Sequence, residues 1–328
     1  MIAARAVKIR EPGGPDVLEL TDTTVRDPGV GELRVRVEAV GLNRADLLQR
    51  QGLYPAPPGA PTDIPGLEYA GVVDALGPDT PGWSLEEPVF GICGGGAFCT
   101  HLVVHHREAL RRPMGLDAAR AAAIPEAFVT AWDALVLQGG LRAGDTVLVH
   151  AVGSGVGTAA LQVAKAHGAT VLGTTRTRDK LGRCLPLGLD GGVVVTDGTF
   201  AEAVLELAPD GVDLVLDLIG GAYLQENVNV LAQRGRILAL GLQGGAFGEL
   251  PLGALLQKRG GILASTLRAR PLEEKITLAQ RFQRELVPRF VSGALRPVIE
   301  DVLPMAEVRE AHARMEANGN LGKIVLRW

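Results

Sequence analysis

The sequence predicts an α/β protein that combines a β-rich part with a doubly wound parallel sheet. Between residues 145 and 266, strand patterns alternate with helical patterns, as in a parallel sheet covered by helices on both faces. A glycine-rich turn follows the first of these strands directly. The first ~110 residues instead hold short alternating runs separated by glycine and proline, which indicates an all-β module.

The β-rich part contains a clear alternating strand followed by a helix. Between residues 33 and 40, Leu33 and Val35 fall on one face and Arg34 and Arg36 on the other, which predicts a half-buried antiparallel strand. Asn43 then precedes a helical run at residues 44–50 and is suited to be its N-cap. Because capping alone accounts for an asparagine here, the residues leave its function open.

Residues 54–66 predict a stiff, irregular loop, because five prolines and two glycines exclude a regular helix or strand. A stiff loop holds its side chains in place at little entropic cost. Tyr54 begins this loop, either as a functional side chain or as a ring that only packs on the prolines.

Further strand patterns occur at residues 67–76 and 98–104. Beyond Pro113 the composition changes to alanine-rich helix, which marks a hinge between two modules. From Arg270 onward the pattern predicts a long helix, a strand near residues 298–303, a helix containing His312 and a strand at residues 323–327. A terminal strand after helices suits a chain that returns to complete the first module.

The alternating part predicts six parallel strands with helices between them. A first strand that is apolar on both faces is typical of such a sheet. We expect the strands at residues 146–149, 170–174, 192–195, 212–217, 236–240 and 262–266.

The turn after the first strand is suited to a dinucleotide's pyrophosphate. Gly153, Gly155 and Gly157 let the backbone turn sharply and approach a phosphate, and the first N–H groups of the next helix favour an anion. The strict G-x-G-x-x-G spacing is not met, because its last glycine would fall at Thr158. A tight βα turn without a ligand is the alternative. The position after the first strand of a βα series favours the dinucleotide.

The end of the second strand favours NADPH over NADH. An acidic residue there would bind the ribose 2′-hydroxyl of NAD, but the expected position holds Thr175. Arg176, Arg178 and Lys180 follow, and guanidinium groups pair well with phosphate oxygens. Asp179 is the one residue of this segment whose negative charge would repel a 2′-phosphate.

Composition and charge exclude several classes of protein. The chain of 328 residues is 47% hydrophobic, enough for two cores, and its net charge of −4 makes nucleic acid an unlikely partner. No apolar run spans a bilayer and the N-terminus lacks a signal-peptide pattern, so we expect a soluble cytoplasmic protein. The three cysteines, Cys93, Cys99 and Cys184, have no metal-ligand spacing and are expected to be isolated thiols.

Taken together, five stretches make the chain resemble the zinc-independent quinone oxidoreductases of the medium-chain dehydrogenase/reductase superfamily, and among them the p53-inducible type. Where zinc-dependent relatives carry a Cys and a His, this chain has Asn43 and Leu67, so the resemblance implies no metal. The five stretches are residues 41–54, 122–128, 150–160, 216–221 and 315–326.

The resemblance implies a GroES-like catalytic domain at residues 1–121, a Rossmann NADPH-binding domain at 122–258 and a return segment at 259–328 that carries the dimer edge. The implied activity is reduction of a quinone by NADPH in the cleft between the domains, by a homodimer or higher oligomer. The alternatives are reduction of an enal or enone, and an NADPH-binding role with little turnover. Relatives often carry a Tyr near the adenosine where this chain has Val195.

The resemblance also assigns residues to the site. Asn43 and Tyr54 are the implied catalytic residues at the nicotinamide end. The cofactor-binding residues fall into a pyrophosphate group (Ser154, Gly155, Val156, Gly157), a ribose phosphate group (Thr175, Arg176, Thr177, Lys180) and a nicotinamide group (Thr130, Gly241, Leu242, Leu267, Asn320).

Overall fold

The computed structural model describes residues 1–328, and the chain divides into two compact units. The first comprises Met1–Val129 with Leu267–Trp328, and the second is Thr130–Thr266. The predicted fold class is confirmed, because the first unit is β-rich and the second contains a six-stranded parallel sheet. None of the helices combines the length and the apolar character needed to cross a membrane.

The first unit is built on two sheets. Its N-terminal elements are β1 (Ile2–Ile9), β2 (Leu18–Val25), β3 (Glu32–Gly41), α1 (Arg44–Arg50), β4 (Glu68–Leu76), β5 (Pro88–Ile92), β6 (His101–His105), β7 (Leu110–Arg111) and α2 (Ala118–Ala122). Helix α3 (Pro125–Trp132) begins in this unit and ends after the division at Val129. Strands β1 and β2 pair with each other, and β3 pairs with β4 and β6 in a seven-stranded sheet.

The second unit alternates strands with helices, as the sequence predicts. Its elements are β8 (Thr146–Val149), α4 (Gly155–Ala166), β9 (Thr170–Thr175), α5 (Arg178–Cys184), β10 (Gly191–Val194), α6 (Ala201–Leu207), β11 (Val212–Asp217), α7 (Leu224–Val230), β12 (Leu231–Ala239), α8 (Leu252–Lys258) and β13 (Gly261–Ala264). The strand order is β10-β9-β8-β11-β12-β13. The order reverses between β8 and β11, and ligands of such sheets bind beyond the carboxyl ends of the strands at this point.

The C-terminal segment completes the first unit. It contains α9 (Leu272–Glu285), α10 (Val287–Val291), β14 (Ile299–Pro304), α11 (Val308–Glu316) and β15 (Lys323–Arg327). Strand β15 pairs antiparallel with β3 and parallel with β14. The terminal strand therefore returns to the first module, as predicted, and contributes Ile324 and Leu326 to the same core as Val35 and Val37.

Three details differ from the sequence-based expectations. Strand β6 begins at His101, because the N–H of Phe98 donates to Pro65 in the proline-rich loop. Strand β12 begins at Leu231 and bends at Arg234, whose φ of 66° is left-handed. Arg34 is buried on the face expected to be polar and exposed, because its guanidinium pairs with Asp74 and Asp27.

Both divisions between the units lie further along the chain than the predicted boundaries of 121/122 and 258/259. The strand expected at residues 262–266 pairs with β12, so β13 belongs to the second unit and not to the return segment. The cysteine prediction is confirmed, because all three thiols are free.

Candidate functional site

The glycine turn after β8 forms the N-terminus of α4. Ser154 is the N-cap, and its Oγ accepts a hydrogen bond from the Gly157 N–H at 3.0 Å. A Cβ on Gly157 would lie 2.7 Å from the Val152 carbonyl oxygen, so no larger residue fits there. Ala151 is left-handed, with φ of 48°, which turns the chain out of the strand. The turn therefore brings backbone N–H groups to the sheet edge in an arrangement that suits an anion.

Asp217 holds the loop that follows β11, the strand that pairs with β8. Its Oδ1 accepts hydrogen bonds from the N–H groups of Ile219 at 2.7 Å and Gly220 at 2.9 Å. Gly220 has φ of 85°, and a Cβ on it would lie 2.9 Å from the Gly241 carbonyl oxygen. Asp217 thus fixes the loop beside Gly241, one of the predicted cofactor-binding residues.

A chain of buried hydrogen bonds connects His150, just before the glycine turn, with Asp217 at the end of β11. The His150 ring lies 2.8 Å from Thr174 Oγ1 and 2.6 Å from Asn227 Oδ1, and Asn227 Nδ2 donates to Asp217 Oδ2 at 3.0 Å. Because Asn227 Oδ1 is an acceptor, we assign the ring proton to His150 Nε2, which leaves Nδ1 to accept from Thr174. Burial lowers the pKa of His150, which agrees with a neutral ring.

Asn227→Ala is expected to lower the free energy of unfolding by about 2 kcal/mol or more, because it leaves buried His150 and Asp217 without a shared partner. The matched control is Asn229→Ala on the same helix, where the amide is exposed and donates to Glu226 at 3.3 Å. Urea unfolding of both variants measures the difference. Equal stability of the two variants would contradict a structural role for the chain of hydrogen bonds.

The segment after β9 carries the predicted 2′-phosphate group. Thr175 is buried at the end of the strand, whereas Arg176 and Thr177 are exposed and Lys180 is half-buried. Thr177 is the N-cap position of α5, and Asp179 forms a 4.0 Å ion pair with Arg183 one turn further along. Asp179 is therefore partly neutralised by a neighbour on its own helix.

Tyr223 is an aromatic residue near this segment that the sequence analysis does not single out. Its ring centroid lies 4.9 Å from the rings of both His150 and Phe200, and Arg176 is close enough to act on the pKa of its hydroxyl, which burial raises. Val195, the position at which the resemblance often implies a Tyr, is buried in the core cluster that Tyr223 packs against. A tyrosine is thus present near Arg176, supplied by a different element.

The first unit contains a buried charged cluster around Asn43, the predicted catalytic residue. Asn43 begins α1, and its backbone N–H donates to Asp46 Oδ2 at 2.8 Å. Its side-chain Nδ2 donates to Glu68 Oε1 at 2.9 Å, and its Oδ1 accepts from the Lys323 ammonium. Lys323 in turn pairs with Glu68 Oε1 at 2.6 Å, where both side chains are almost fully buried. Asn43 is therefore held in one orientation by an ion pair.

Three carboxyl groups share this cluster with the single ammonium group. The Glu126 N–H donates to Glu68 Oε2 at 2.8 Å. Burial raises the pKa of Asp46 to about 6, against two backbone hydrogen bonds that lower it. Burial, together with the neighbouring Glu68, raises the pKa of Glu126 to about 8, against the Lys323 charge that lowers it. Glu126 therefore retains a proton at neutral pH.

Glu126→Gln is expected to flatten the pH dependence of stability between pH 6 and 8. Because its folded-state pKa lies above the ordinary glutamate value, folded Glu126 keeps a proton that the unfolded chain releases, so stability falls as pH rises towards 8. The slope from one proton is at most about 1.4 kcal/mol per pH unit. Asp46, with a pKa of about 6, adds its own slope mainly below pH 7, and this contribution is common to the wild type and the variant. Urea unfolding at pH 6, 7 and 8 measures the slope, with exposed Glu249→Gln as the control. A glutamine variant with the wild-type slope would refute this assignment.

The remaining predicted residues occupy varied environments. Tyr54 is half-buried at the start of the proline-rich loop, and Asn320 Nδ2 donates to the Gly322 carbonyl at 2.9 Å. Leu242 is 64% exposed, which leaves its side chain accessible. Half-buried positions are also found at Thr130, Val156, Gly241 and Leu267. The roles of all these residues stay predictions.

Several residues that organise the site have only weak sequence signals. Lys323 and Glu68 border apolar strand runs, and His150 ends one, so a polar residue beside a buried strand is the signal in each case. Arg268 has no such signal, although it is 5% exposed in the structure.

Comparison with known proteins finds two family models that match this chain. The alcohol dehydrogenase GroES-like domain family matches residues 29–136, and the zinc-binding dehydrogenase family matches residues 187–326. A quinone oxidoreductase from Pseudomonas aeruginosa is 32% identical, with 98% of this chain and 99% of the relative covered. The chain thus has the two-part architecture of the medium-chain dehydrogenase/reductase superfamily.

Solved structures agree over the whole chain. A quinone oxidoreductase of Pseudomonas syringae pathovar tomato is 29% identical, with a TM-score of 0.88 and coverage of 99% of this chain and 100% of that one. A mycobacterial protein complexed with NADPH is 27% identical, with a TM-score of 0.87 and the same coverage. The CurK enoyl reductase is 26% identical, with a TM-score of 0.85 and 99% of each chain covered.

The chain belongs to the quinone oxidoreductase family of the medium-chain dehydrogenase/reductase superfamily. It is an oxidoreductase of a small-molecule substrate, with a nicotinamide dinucleotide as the cofactor that this family and the NADPH-bound structural relative support.

Proposed function

We propose that this protein is an NADPH-dependent, zinc-independent quinone reductase. The observation that carries the proposal is the ion pair of Lys323 with Glu68, to which Asn43 is bonded on both sides. The Lys323 ammonium already pairs with Glu68, and Leu67, where zinc-dependent relatives carry a His, is buried core. This donor set is a poor one for zinc, which prefers thiolate and imidazole ligands.

The residues of the second unit fit the proposed cofactor. Ser154 and Gly157 shape the turn that would hold the pyrophosphate, and Arg176 and Thr177 are exposed where a 2′-phosphate would be bound. When bound, NADPH supplies a hydride from nicotinamide C4. An electron-poor acceptor such as a quinone then needs binding and orientation more than activation, and Asn43 and Tyr54 are proposed to provide both.

We also propose that the protein assembles as a homodimer through β13. This strand lies at the edge of the parallel sheet, and Ile262 and Leu263 on it are 36% and 38% exposed. An apolar edge strand is a ready template for pairing with a second chain.

A second candidate function is reduction of an activated double bond, which the similarity to an enoyl reductase favours. NADPH oxidation measured with 1,2-quinones, 1,4-quinones, enals and enones separates the candidates. We expect turnover with quinones, undiminished after dialysis against a zinc chelator. Turnover confined to enones would reject the quinone assignment. Tight NADPH binding without any turnover would favour a binding role.

Tyr54→Phe tests the proposed catalytic tyrosine with the same assay. Loss of the hydroxyl is expected to lower kcat about tenfold or more if Tyr54 orients the acceptor. A ring that only packs on the prolines would leave kcat unchanged, which would reject the role. NADPH affinity, measured by the quenching of cofactor fluorescence, should stay the same in this variant.

A further inference from the structure

The proline-rich loop that begins at Tyr54 contains no helix or strand, so its shape depends on contacts with other segments. One of these contacts comes from Arg268, which bonds the loop at its first residue. This residue is 5% exposed, and its guanidinium donates to three acceptors on separate segments of the first unit. These are the Gly94 carbonyl at 2.8 Å, the Tyr54 carbonyl at 3.2 Å and Gln49 Oε1 at 2.5 Å.

The same contacts reach both ends of the loop. Arg268 binds the carbonyl of Tyr54 at the beginning, while Gln49, which it holds, donates through Nε2 to the Thr62 carbonyl at 3.1 Å near the end. Gln49 is itself 6% exposed. A buried guanidinium and a buried amide therefore fix the loop against α1 and the segment after β5.

Arg268 also contacts the ring of Tyr54. The guanidinium carbon lies 5.0 Å from the ring centroid, within the range of a cation–π interaction. One side chain thus fixes both the backbone and the ring of this tyrosine. A lysine cannot reproduce these contacts, because its single ammonium group lacks the planar fork that reaches three acceptors at once.

We propose that Arg268 is a positioning residue for Tyr54, and that it sets where the tyrosine hydroxyl meets the acceptor. The proposal rests on the proposed function in one respect, the role of Tyr54 in turnover. Anchoring of the loop by Arg268 does not depend on that role and is measured separately.

The kinetic test is a double-mutant cycle with Arg268→Lys, Tyr54→Phe and the double variant, assayed with the quinone that the acceptor panel identifies. Arg268→Lys should lower kcat about 10- to 100-fold, because a small displacement of an orienting group has effects of this size. In the Tyr54→Phe background the same change should have less than about a threefold effect, because the two residues act as one unit. NADPH affinity should be unchanged in all variants. An equal loss in both backgrounds would show that Arg268 does not act through Tyr54 and would overturn the proposal.

Hydrogen exchange of peptides covering residues 52–66 provides a readout that needs no turnover. Arg268→Lys should exchange about five- to tenfold faster in this loop, as expected for losing one or two hydrogen bonds, with unchanged exchange in α4. The matched control is Arg314→Lys, whose side chain is 45% exposed and pairs with Glu310 and Asp301. If no acceptor is turned over, the proposed function fails. The exchange measurement still tests whether Arg268 anchors the proline-rich loop. If residues 52–66 of the Arg268→Lys variant exchange at the wild-type rate, Arg268 does not anchor the loop and the proposal is overturned.

Discussion

Lys323→Met is expected to lower the free energy of unfolding by about 3–5 kcal/mol, the usual result of removing one partner of a buried ion pair. Lys323 is 3% exposed, and its ammonium bonds Glu68 Oε1 and the carbonyl oxygen of Leu42 at 2.8 Å. Methionine is of similar length but carries no charge. Glu68, which is fully buried, would then lie beside Asp46 and Glu126 without the ammonium that is paired with it.

Two further variants make this result specific. Lys165→Met removes an ammonium from the exposed pair with Asp190 and should cost no more than about 1 kcal/mol. The double variant Lys323→Met with Glu68→Gln removes both charges and should be more stable than Lys323→Met alone. Urea unfolding at a fixed pH measures all three. If Lys323→Met unfolds at the same urea concentration as Lys165→Met, the ion pair does not hold this part of the first unit together.

Arg176→Ala is expected to raise the dissociation constant of NADPH about 10- to 100-fold, because a hydrogen bond to a charged group contributes about 1.5–3 kcal/mol. The dissociation constant of NADH should change by less than about twofold, because NADH lacks the 2′-phosphate that the guanidinium would bind. Arg176 is exposed at the end of β9, so the substitution removes no buried contact and the fold should be unaffected.

Fluorescence titration with both cofactors at one ionic strength measures this preference, since added salt screens an exposed phosphate contact. Arg142→Ala is the control, because Arg142 is also exposed and lies in the loop before β8. Equal losses of NADPH and NADH affinity in the Arg176 variant would remove the argument for a 2′-phosphate site. A loss in the Arg142 variant would show a general charge effect.

The sequence predicts a structural element correctly where interactions between neighbouring residues are enough to specify it. The alternation around Val35, the glycine turn at Gly157 and the apolar run of β8 specify strand, turn and strand from adjacent residues alone. Strand ends are less well specified, because they depend on partners distant in sequence. Phe98 leaves its predicted strand to bond Pro65, and β13 is assigned to the second unit by its pairing with β12.

Arg34 shows why a face predicted to be exposed is sometimes buried. The alternation of the strand places Arg34 on the other face of the sheet from Leu33 and Val35. Asp74 on the neighbouring strand pairs with its guanidinium and so compensates for its burial. That partner lies 40 residues away in the chain, so no local pattern reports it.

The sequence by itself determined the order of strands and helices, the glycine turn and the basic segment that begins at Arg176, because each of these is written in neighbouring residues. The tertiary structure alone decided that Lys323 and Glu68 meet at Asn43, and that Arg268 meets Tyr54. These pairs are separated by up to 280 residues, and only the return of β15 to β3 and the packing of the C-terminal segment on the first unit bring them together. Burial then gives these contacts their strength, since a charge or amide removed from water must find its partner within the fold.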